Sequence, residues 1–301
     1  MMTPEEVRHH LTGPVTSIFM PFTREGEIDE RSLRGMIDRD IDNGSRSIIL
    51  TAGDSMFNIL TDDEADRVTR ITVEQTAGRA MVVAADKSWW LDREIQWARR
   101  VREIGADMLM ARPPGGVVEP EAYVQYYREV ARHIPVMVVT NVFKRDEMDF
   151  NRRTIEMVRD QVDGVMAMKD DLIGEFITQI APLVHDEWAV MSGGQMKNHL
   201  FTLPYGCDGF MDVFRMLNPD ISDRYWAAIE AEDLDRAQEI VDTYDQPFFK
   251  AVLSFPGFRP GMHAALEIYG IAQRWHRKPL YSLTDEQVAE LRGMLEEIGL
   301  V

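Results

Sequence analysis

The sequence contains a single cysteine, Cys207, among its 301 residues, so one chain cannot form an internal disulfide. A lone cysteine suits a reducing compartment, and the first residues contain no apolar signal core, so we expect a cytoplasmic protein. No hydrophobic run reaches the roughly 20 residues that a membrane-spanning helix needs, which argues against a membrane partner.

Positive charge is scarce. The chain has 33 lysines and arginines against 51 aspartates and glutamates, which gives a formal net charge of −18 at pH 7. Such a field repels nucleic acids and anionic membranes, so neither is a predicted partner. A small anionic ligand is still compatible with this charge, because a local basic site can exist within an acidic protein.

The sequence also lacks the signatures of several other protein classes. It has no low-complexity tract, no solenoid-type repeat and no Ser/Gly/Pro-rich linker between two halves. Its seven histidines are scattered, and the pair His9–His10 has no further ligand at helical or strand spacing. Because a zinc site needs several ligands, we predict no metal and no cofactor.

What the sequence does contain is an alternation of short apolar runs and amphipathic segments. The runs are typical of strands buried on both faces, and the segments between them carry apolar residues at helical spacing, such as Ile95, Ala98 and Val101. Eight strand–helix units predict a (β/α)8 TIM barrel. A doubly wound open sheet would ordinarily carry G-x-G-x-x-G after its first strand, and this motif is absent. The predicted strands cover residues 16–22, 45–53, 80–86, 106–112, 135–141, 162–169, 187–194 and 207–214.

Segments on either side of the predicted barrel complete the chain. The barrel is expected over residues 15–231, after an N-terminal segment at 1–14 and before a C-terminal helical extension at 232–301. Four phenylalanines of the extension supply apolar surface that must be buried within it or against another subunit. They are Phe248, Phe249, Phe255 and Phe258.

The carboxyl ends of the strands face the active site of such a barrel, and one predicted strand ends in the sequence VMAMKDD, which contains Lys169. Lysine is seldom fully buried, because desolvating its ammonium group is costly. A lysine that is neutral part of the time can attack a carbonyl carbon. The alternative is that Lys169 merely marks the point where the strand meets water.

The order and spacing of the strand-end motifs resemble the dihydrodipicolinate synthase/N-acetylneuraminate lyase family of class I aldolases and lyases, along nearly the whole chain. The resemblance implies that Lys169 forms a Schiff base with the keto carbon of a 2-oxo acid, typically pyruvate, without a metal. It also implies a homo-oligomer, a tetramer built from dimers, with a dimer as the alternative. The segments that carry it are MPFTREGEID, LTAGDSMFNILTDDE, VVTNVF, VMAMKDD, MSGG and GCDGF.

The sequence departs from the family pattern around the lysine. Thr140 stands where the family has its proton-relay tyrosine, beside a matching Asn141. Ala52 stands where a second threonine would hold the substrate carboxylate, and ARPPGG replaces the segment whose tyrosine often comes from a neighbouring subunit. These losses argue against dihydrodipicolinate synthase activity itself.

The predicted catalytic residues are Lys169, as the nucleophile, and Thr51 and Thr140, which are expected to position a water or a substrate hydroxyl for proton transfer. The backbone N–H groups of Ala52 and Gly53 are expected to hold the substrate carboxylate. The other predicted substrate-binding residues are Asn141, Arg112, Gly193 and Asp212.

Two of these assignments have structural alternatives. Arg112 is expected either to clamp a carboxylate or to form a loop salt bridge with one of the many acids. Asp212 is expected either to bind substrate hydroxyls and act as an acid or base, or to pair with Arg215.

The leading hypothesis is therefore a Schiff-base-forming lyase or aldolase that acts on a 2-oxo acid. A dehydratase of a 2-keto-3-deoxy sugar acid on the same scaffold is one alternative. The other is a catalytically impaired ligand-binding or regulatory protein, which the loss of both tyrosines favours.

Overall fold

The structure is a computed structural model that describes residues 2–301. Eight parallel strands form a closed barrel in chain order, and the first strand pairs with both the second and the eighth. This confirms the predicted (β/α)8 barrel. The strands are β1 (Gly13–Ser17), β2 (Ser47–Ile49), β3 (Met81–Ala85), β4 (Met108–Ala111), β5 (Val136–Val139), β6 (Val165–Asp170), β7 (Ala189–Ser192) and β8 (Gly209–Met211).

Helices surround the barrel, and several begin at the signals that the sequence carries. Thr61 and Glu64 form a capping box, and Pro120 occupies the first turn of its helix. A π-helical segment, Val241–Asp245, joins the eleventh and twelfth helices. The helices are α1 (Pro4–Leu11), α2 (Glu30–Asp42), α3 (Asp62–Thr76), α4 (Leu91–Ile104), α5 (Pro120–Ala131), α6 (Met148–Gln161), α7 (Glu175–Val184), α8 (Met196–Thr202), α9 (Phe214–Leu217), α10 (Pro219–Glu230), α11 (Leu234–Ile240), α12 (Gln246–Leu253), α13 (Phe258–Ile268) and α14 (Asp285–Ile298).

The core has two parts. The larger part lies between the strands and the surrounding helices. The smaller part contains side chains from the strands together with Val7 and Leu11 of α1, so α1 packs on the barrel interior. Methionines from β3, β4, β5, β7 and β8 contribute much of it, and their flexible thioethers adapt to an irregular space.

The first strand begins and ends earlier than predicted. Residues 18–22 form no barrel strand, although Ile18 N–H still donates to the carbonyl of Ile49 and Met20 N–H to that of Asp54. Phe22 instead makes isolated bridges to Ile28 and Trp275. The apolar run is long because this segment is buried, and burial alone does not separate a strand from a covered loop.

The C-terminal extension, α11–α14, packs onto the barrel. Phe248, Phe249 and Phe255 are buried within the chain, so they offer no exposed surface for a second subunit. The crossing of α12 and α13 requires Gly261, because a Cβ there would lie 2.1 Å from the carbonyl oxygen of Val252. Between residues 2 and 301, no helix has the length and apolar character to cross a bilayer.

Candidate active site

A cavity of about 570 Å³ opens at the carboxyl ends of the strands. It brings together every predicted site residue except Thr140. The predicted residues that line it are Lys169, Thr51, Ala52, Gly53, Asn141, Arg112, Gly193 and Asp212.

Lys169 lies near the end of β6, paired in register with Val139 of β5 and Met191 of β7. Only 7% of the residue is exposed, and its Nζ donates a hydrogen bond to Oδ1 of Asp171. The Asp171 side chain is about one-third exposed and also lines the cavity. An ammonium and a carboxylate are thus in direct contact where a substrate carbonyl can reach both.

The position of Asp171 is determined by its neighbours. Asn141 Nδ2 lies 3.4 Å from Oδ2 of Asp171, the carboxylate oxygen that Lys169 does not contact. At the end of β7, a Cβ on Gly193 would lie 2.4 Å from Oδ1 of Asp171. Gly193 therefore leaves the space that this carboxylate and the carbonyl oxygen of Asp170 occupy, and its contact with a substrate stays a prediction.

Thr140 does not face the cavity. Its hydroxyl donates to Oδ1 of Asp170 at 2.7 Å and accepts the N–H of Asp171 at 2.8 Å and of Leu172 at 3.3 Å. The single hydroxyl proton is used by the buried Asp170, so none is left for a substrate. A 3₁₀ turn over Thr140–Val142 accompanies this arrangement, and Thr140 organises the turn that carries Asp171.

Asp170 is the buried acceptor at the centre of that turn. Its carboxylate accepts the N–H of Leu172 at 3.1 Å and of Ile173 at 2.9 Å, in addition to the Thr140 hydroxyl. Burial raises the pKa of Asp170, and these hydrogen bonds oppose the rise. The backbone that follows Lys169 is therefore held by side-chain hydrogen bonds beyond the strand ladder.

The loop after β2 presents several donors to the cavity. The Oγ1 of Thr51 accepts the N–H of Asp54 at 2.8 Å and of Ser55 at 3.4 Å, so its own proton is free for a ligand. Among residues 2–301, the N–H groups of Ala52 and Gly53 have no hydrogen-bond acceptor. This is the arrangement expected for a carboxylate site.

Asp54 is a cavity residue that the sequence reasoning did not select. Its carboxylate accepts the Ser17 hydroxyl at 2.7 Å. Removal from water raises the pKa of Asp54, the charge of Asp171 adds to the rise, and the charge of Lys169 opposes it. The available signal was the acid that follows LTAG in LTAGDSMFNILTDDE, one of the segments that carry the family resemblance.

Arg112 lines the cavity but is held by another residue. Its Nε donates to Oδ1 of Asp86 at 2.8 Å, and its backbone N–H donates to Oδ2 at 2.5 Å. Asp86 is fully buried. Of the two alternatives predicted for Arg112, the structure therefore contains the loop salt bridge. The guanidinium compensates the negative charge of the buried Asp86 carboxylate.

Asp212, after β8, accepts the N–H of Phe214 at 2.9 Å and the hydroxyl of Ser222. The predicted alternative, an ion pair with Arg215, is wrong, because Arg215 pairs with Asp223 at 2.6 Å. Burial raises the pKa of Asp212 to about 7, so this carboxyl group, which lines the cavity, is partly protonated near neutral pH.

Arg259, near the start of α13, also lines the cavity. Its Nε donates to the carbonyl oxygen of Gly53 at 2.9 Å, across 206 positions of sequence. No local sequence signal marks this residue, because only the packing of the extension onto the barrel places it there.

Three carboxylates line the cavity, those of Asp54, Asp171 and Asp212. They do not converge on one point. In the part of the chain that the structure describes, no three His, Cys, Asp or Glu side chains are grouped so as to hold a metal ion.

A closed parallel barrel with a lysine at a strand end is the arrangement that the sequence motifs imply. The model of the Dihydrodipicolinate synthetase family matches residues 10–298. The chain belongs to this family. Membership confirms the resemblance inferred from the strand-end motifs.

Relatives in the family have several activities in their names. The probable 5-dehydro-4-deoxyglucarate dehydratase 1 of Streptomyces coelicolor is 26% identical, with 98% of this chain and 96% of the relative covered. The 4-hydroxy-tetrahydrodipicolinate synthase of Syntrophus aciditrophicus is 26% identical, with 96% and 99% covered. The crystal structure of N-acetylneuraminate lyase from Mycoplasma synoviae is 18% identical and has a TM-score of 0.81, with 97% and 99% covered, so it shows the shared fold. The family therefore supports a Schiff-base lyase or dehydratase scaffold.

Proposed function

We propose that this protein is a lyase that forms a Schiff base between Lys169 and the keto carbon of a 2-oxo acid. The observation that carries the proposal is the contact between Lys169 Nζ and the Asp171 carboxylate, in a cavity at the carboxyl ends of the strands. A nucleophilic amine beside a group that can take its proton is the arrangement that carbonyl chemistry requires.

The first step transfers a proton from the Lys169 ammonium to the Asp171 carboxylate. The free amine then attacks the keto carbon, and the former carbonyl oxygen leaves as water after it receives two protons, one from the amine and one from Asp171. The product is an iminium ion. Asp171 thus takes the place of the relay tyrosine, since it contacts Lys169 directly and no tyrosine among residues 2–301 lines the cavity.

The iminium ion acts as an electron sink for the carbon chain of the substrate. Loss of a proton from C3 gives an enamine, and a hydroxyl on C4 can then leave as water after protonation. Alternatively, the C4 hydroxyl loses its proton and the C3–C4 bond breaks, which releases an aldehyde and leaves the enamine of pyruvate. Both routes need an acid or base near C4, and we assign this role to Asp54 and Asp212, since burial raises the pKa of both carboxyl groups, that of Asp212 to about 7.

A 4-hydroxy-2-oxo acid is therefore the substrate class that fits the site. We incubate the protein with such acids of increasing hydroxylation and follow two products by NMR, pyruvate from cleavage and the unsaturated oxo acid from dehydration. We expect one of the two to form, and Lys169→Met to abolish it. Turnover that persists in Lys169→Met contradicts the proposal.

The loss of the tyrosines favours a second candidate, a protein that binds 2-oxo acids without turnover. This candidate predicts heat of binding in calorimetry and no product from any hydroxylated oxo acid. Detectable, Lys169-dependent turnover eliminates it.

A further inference from the structure

Three basic side chains line the cavity, and two of them have carboxylate partners. Lys169 contacts Asp171, and Arg112 pairs with Asp86. Arg259 has no carboxylate within 4.0 Å among residues 2–301. In a chain where acids outnumber lysines and arginines by 51 to 33, a cavity arginine without an acidic partner is available to an anionic ligand.

The position of the Arg259 guanidinium is fixed by the loop after β2. Its Nε donates to the carbonyl oxygen of Gly53, so Nη1 and Nη2 are left for other acceptors. The point that a Cβ on Gly53 would occupy is 3.7 Å from Arg259 Nη2 and 3.8 Å from Thr51 Oγ1. The guanidinium and the threonine hydroxyl therefore flank the same small space beside Gly53.

Several donors at or next to that space have no acceptor among residues 2–301. They are the N–H groups of Ala52 and Gly53, the Thr51 hydroxyl proton and the free nitrogens of Arg259. The charge of Arg259 opposes the rise in the pKa of Asp54 that burial causes. The Asp54 carboxylate nevertheless accepts its hydrogen bond from Ser17 and lies beyond ion-pair distance of Arg259. A carboxylate of a ligand would satisfy these donors together, with the guanidinium supplying the charge.

We infer, as an extension of the proposed function, that Arg259 of the C-terminal extension binds the carboxylate adjacent to the keto group of the substrate. It takes over from the threonine that Ala52 replaces. The extension thereby completes the active site of its own chain, since the carboxylate is held between a barrel loop and α13.

The test uses pyruvate and acetone as probes, because acetone presents the same carbonyl without a carboxylate. Each is trapped on the protein with borohydride at increasing concentration, and the adduct is measured by intact mass. In Arg259→Met we expect the half-saturating pyruvate concentration to rise about 10- to 100-fold, as for the loss of a hydrogen bond to a charged group. The half-saturating concentration of acetone should not change in this variant.

Two further variants make the result specific. Gly53→Ala retains Arg259 but places a methyl group at ordinary contact distance from both Nη2 and the Thr51 hydroxyl. It should therefore raise the half-saturating concentration of pyruvate and leave that of acetone unchanged. Lys250→Met removes an exposed positive charge from α12 and should change the half-saturating concentration of neither probe.

Unchanged half-saturation for pyruvate in Arg259→Met overturns the inference while leaving the Schiff base intact. An equal rise in the half-saturating concentrations of pyruvate and acetone also overturns it, because the effect would then not depend on the carboxylate. Absence of any oxo-acid adduct on the wild-type protein instead contradicts the proposed function.

Discussion

At the scale of single residues, the proposed function assigns to Asp171 the proton transfer that a tyrosine performs in the family pattern. The Asp171→Asn variant keeps the shape of the side chain and removes its capacity to take a proton. We expect the rate of Schiff-base formation to fall about 10²- to 10⁴-fold, the usual contribution of a positioned acid or base. Stopped borohydride trapping of pyruvate over time measures this rate.

The control for this variant is Asp163→Asn, which neutralises an exposed acid away from the cavity. The pH dependence provides a second readout, since loss of a proton acceptor should leave the slow reaction rising with pH as hydroxide takes over. An Asp171→Asn protein that traps pyruvate at the wild-type rate would return the proton transfer to another group.

Asp212 makes the stability of the protein dependent on pH. Burial raises its pKa to about 7 in the folded chain, whereas an aspartate in the unfolded chain titrates near pH 4. Between these values the folded state binds more protons, so stability falls as the pH rises from about 4 to about 7. We expect Asp212→Asn to raise the free energy of unfolding at pH 8, by about 4 kcal/mol at most, and to change it little at pH 4.

Denaturant unfolding at several pH values measures this difference. The asparagine can still accept the Phe214 N–H and donate to Ser222, so packing is retained. The prediction fails if the difference between the two proteins is the same at pH 4 and pH 8.

Single residues also show what the sequence can predict of the site. Lys169 and the Thr51–Gly53 loop were predictable, because the end of a barrel strand is marked by the end of an apolar run. The hydroxyl direction of Thr140 depends on a local 3₁₀ turn, and the position of Arg259 depends on a helix 206 residues further along the chain. Neither is encoded in local spacing.

At the scale of helices and strands, the eight apolar runs matched the eight strands because strands buried on both faces leave a nearly continuous pattern. The ends were less predictable where a covered loop continues the run, as at residues 18–22 after β1. Within the predicted helical extension, α11, a π-helical segment and α12 follow one another without a break.

The contact between α12 and α13 holds Arg259 over the cavity. Because a Cβ at position 261 would collide with the backbone of Val252, Gly261→Ala should lower the free energy of unfolding by about 1–3 kcal/mol, a typical cost of overpacking. It should also weaken pyruvate trapping, because α13 must shift. Thermal unfolding and the half-saturating pyruvate concentration measure the two effects.

Gly35→Ala is the matched control, since this glycine is an exposed residue of α2 and nothing lies within 4 Å of the added methyl group. It should stabilise the protein by about 0.5–1 kcal/mol. Equal effects of the two substitutions would contradict the tight crossing.

At the scale of the whole molecule, we expect a homo-oligomer, a dimer or a tetramer. Trp90 and Val118 have the largest exposed fractions among the large hydrophobic side chains of the described chain, at 65% and 74%, and they lie in the consecutive β3–α4 and β4–α5 connections. A contiguous exposed apolar patch is typical of a subunit interface, and we expect these two side chains to belong to one. Val118→Asp should therefore lower the mass measured by light scattering, and Leu234→Asp, at the start of α11, should not.

The same experiment separates assembly from chemistry. Lys169, Asp171 and Arg259 come from one chain, so the dissociated Val118→Asp protein should lose thermal stability and still trap pyruvate. A wild-type protein that is monomeric at micromolar concentration contradicts the assembly prediction. Loss of trapping in a folded monomer would show that a neighbouring subunit contributes to the site.

The most direct test of the Schiff-base assignment is to locate the covalent adduct. The protein is incubated with pyruvate, reduced with borohydride and digested, and the peptides are sequenced by mass spectrometry. The contact between Lys169 and Asp171 predicts one N-linked carboxyethyl group, on Lys169, and none in Lys169→Met. An adduct on another lysine that persists in Lys169→Met, or no adduct with any 2-oxo acid, would contradict the assignment.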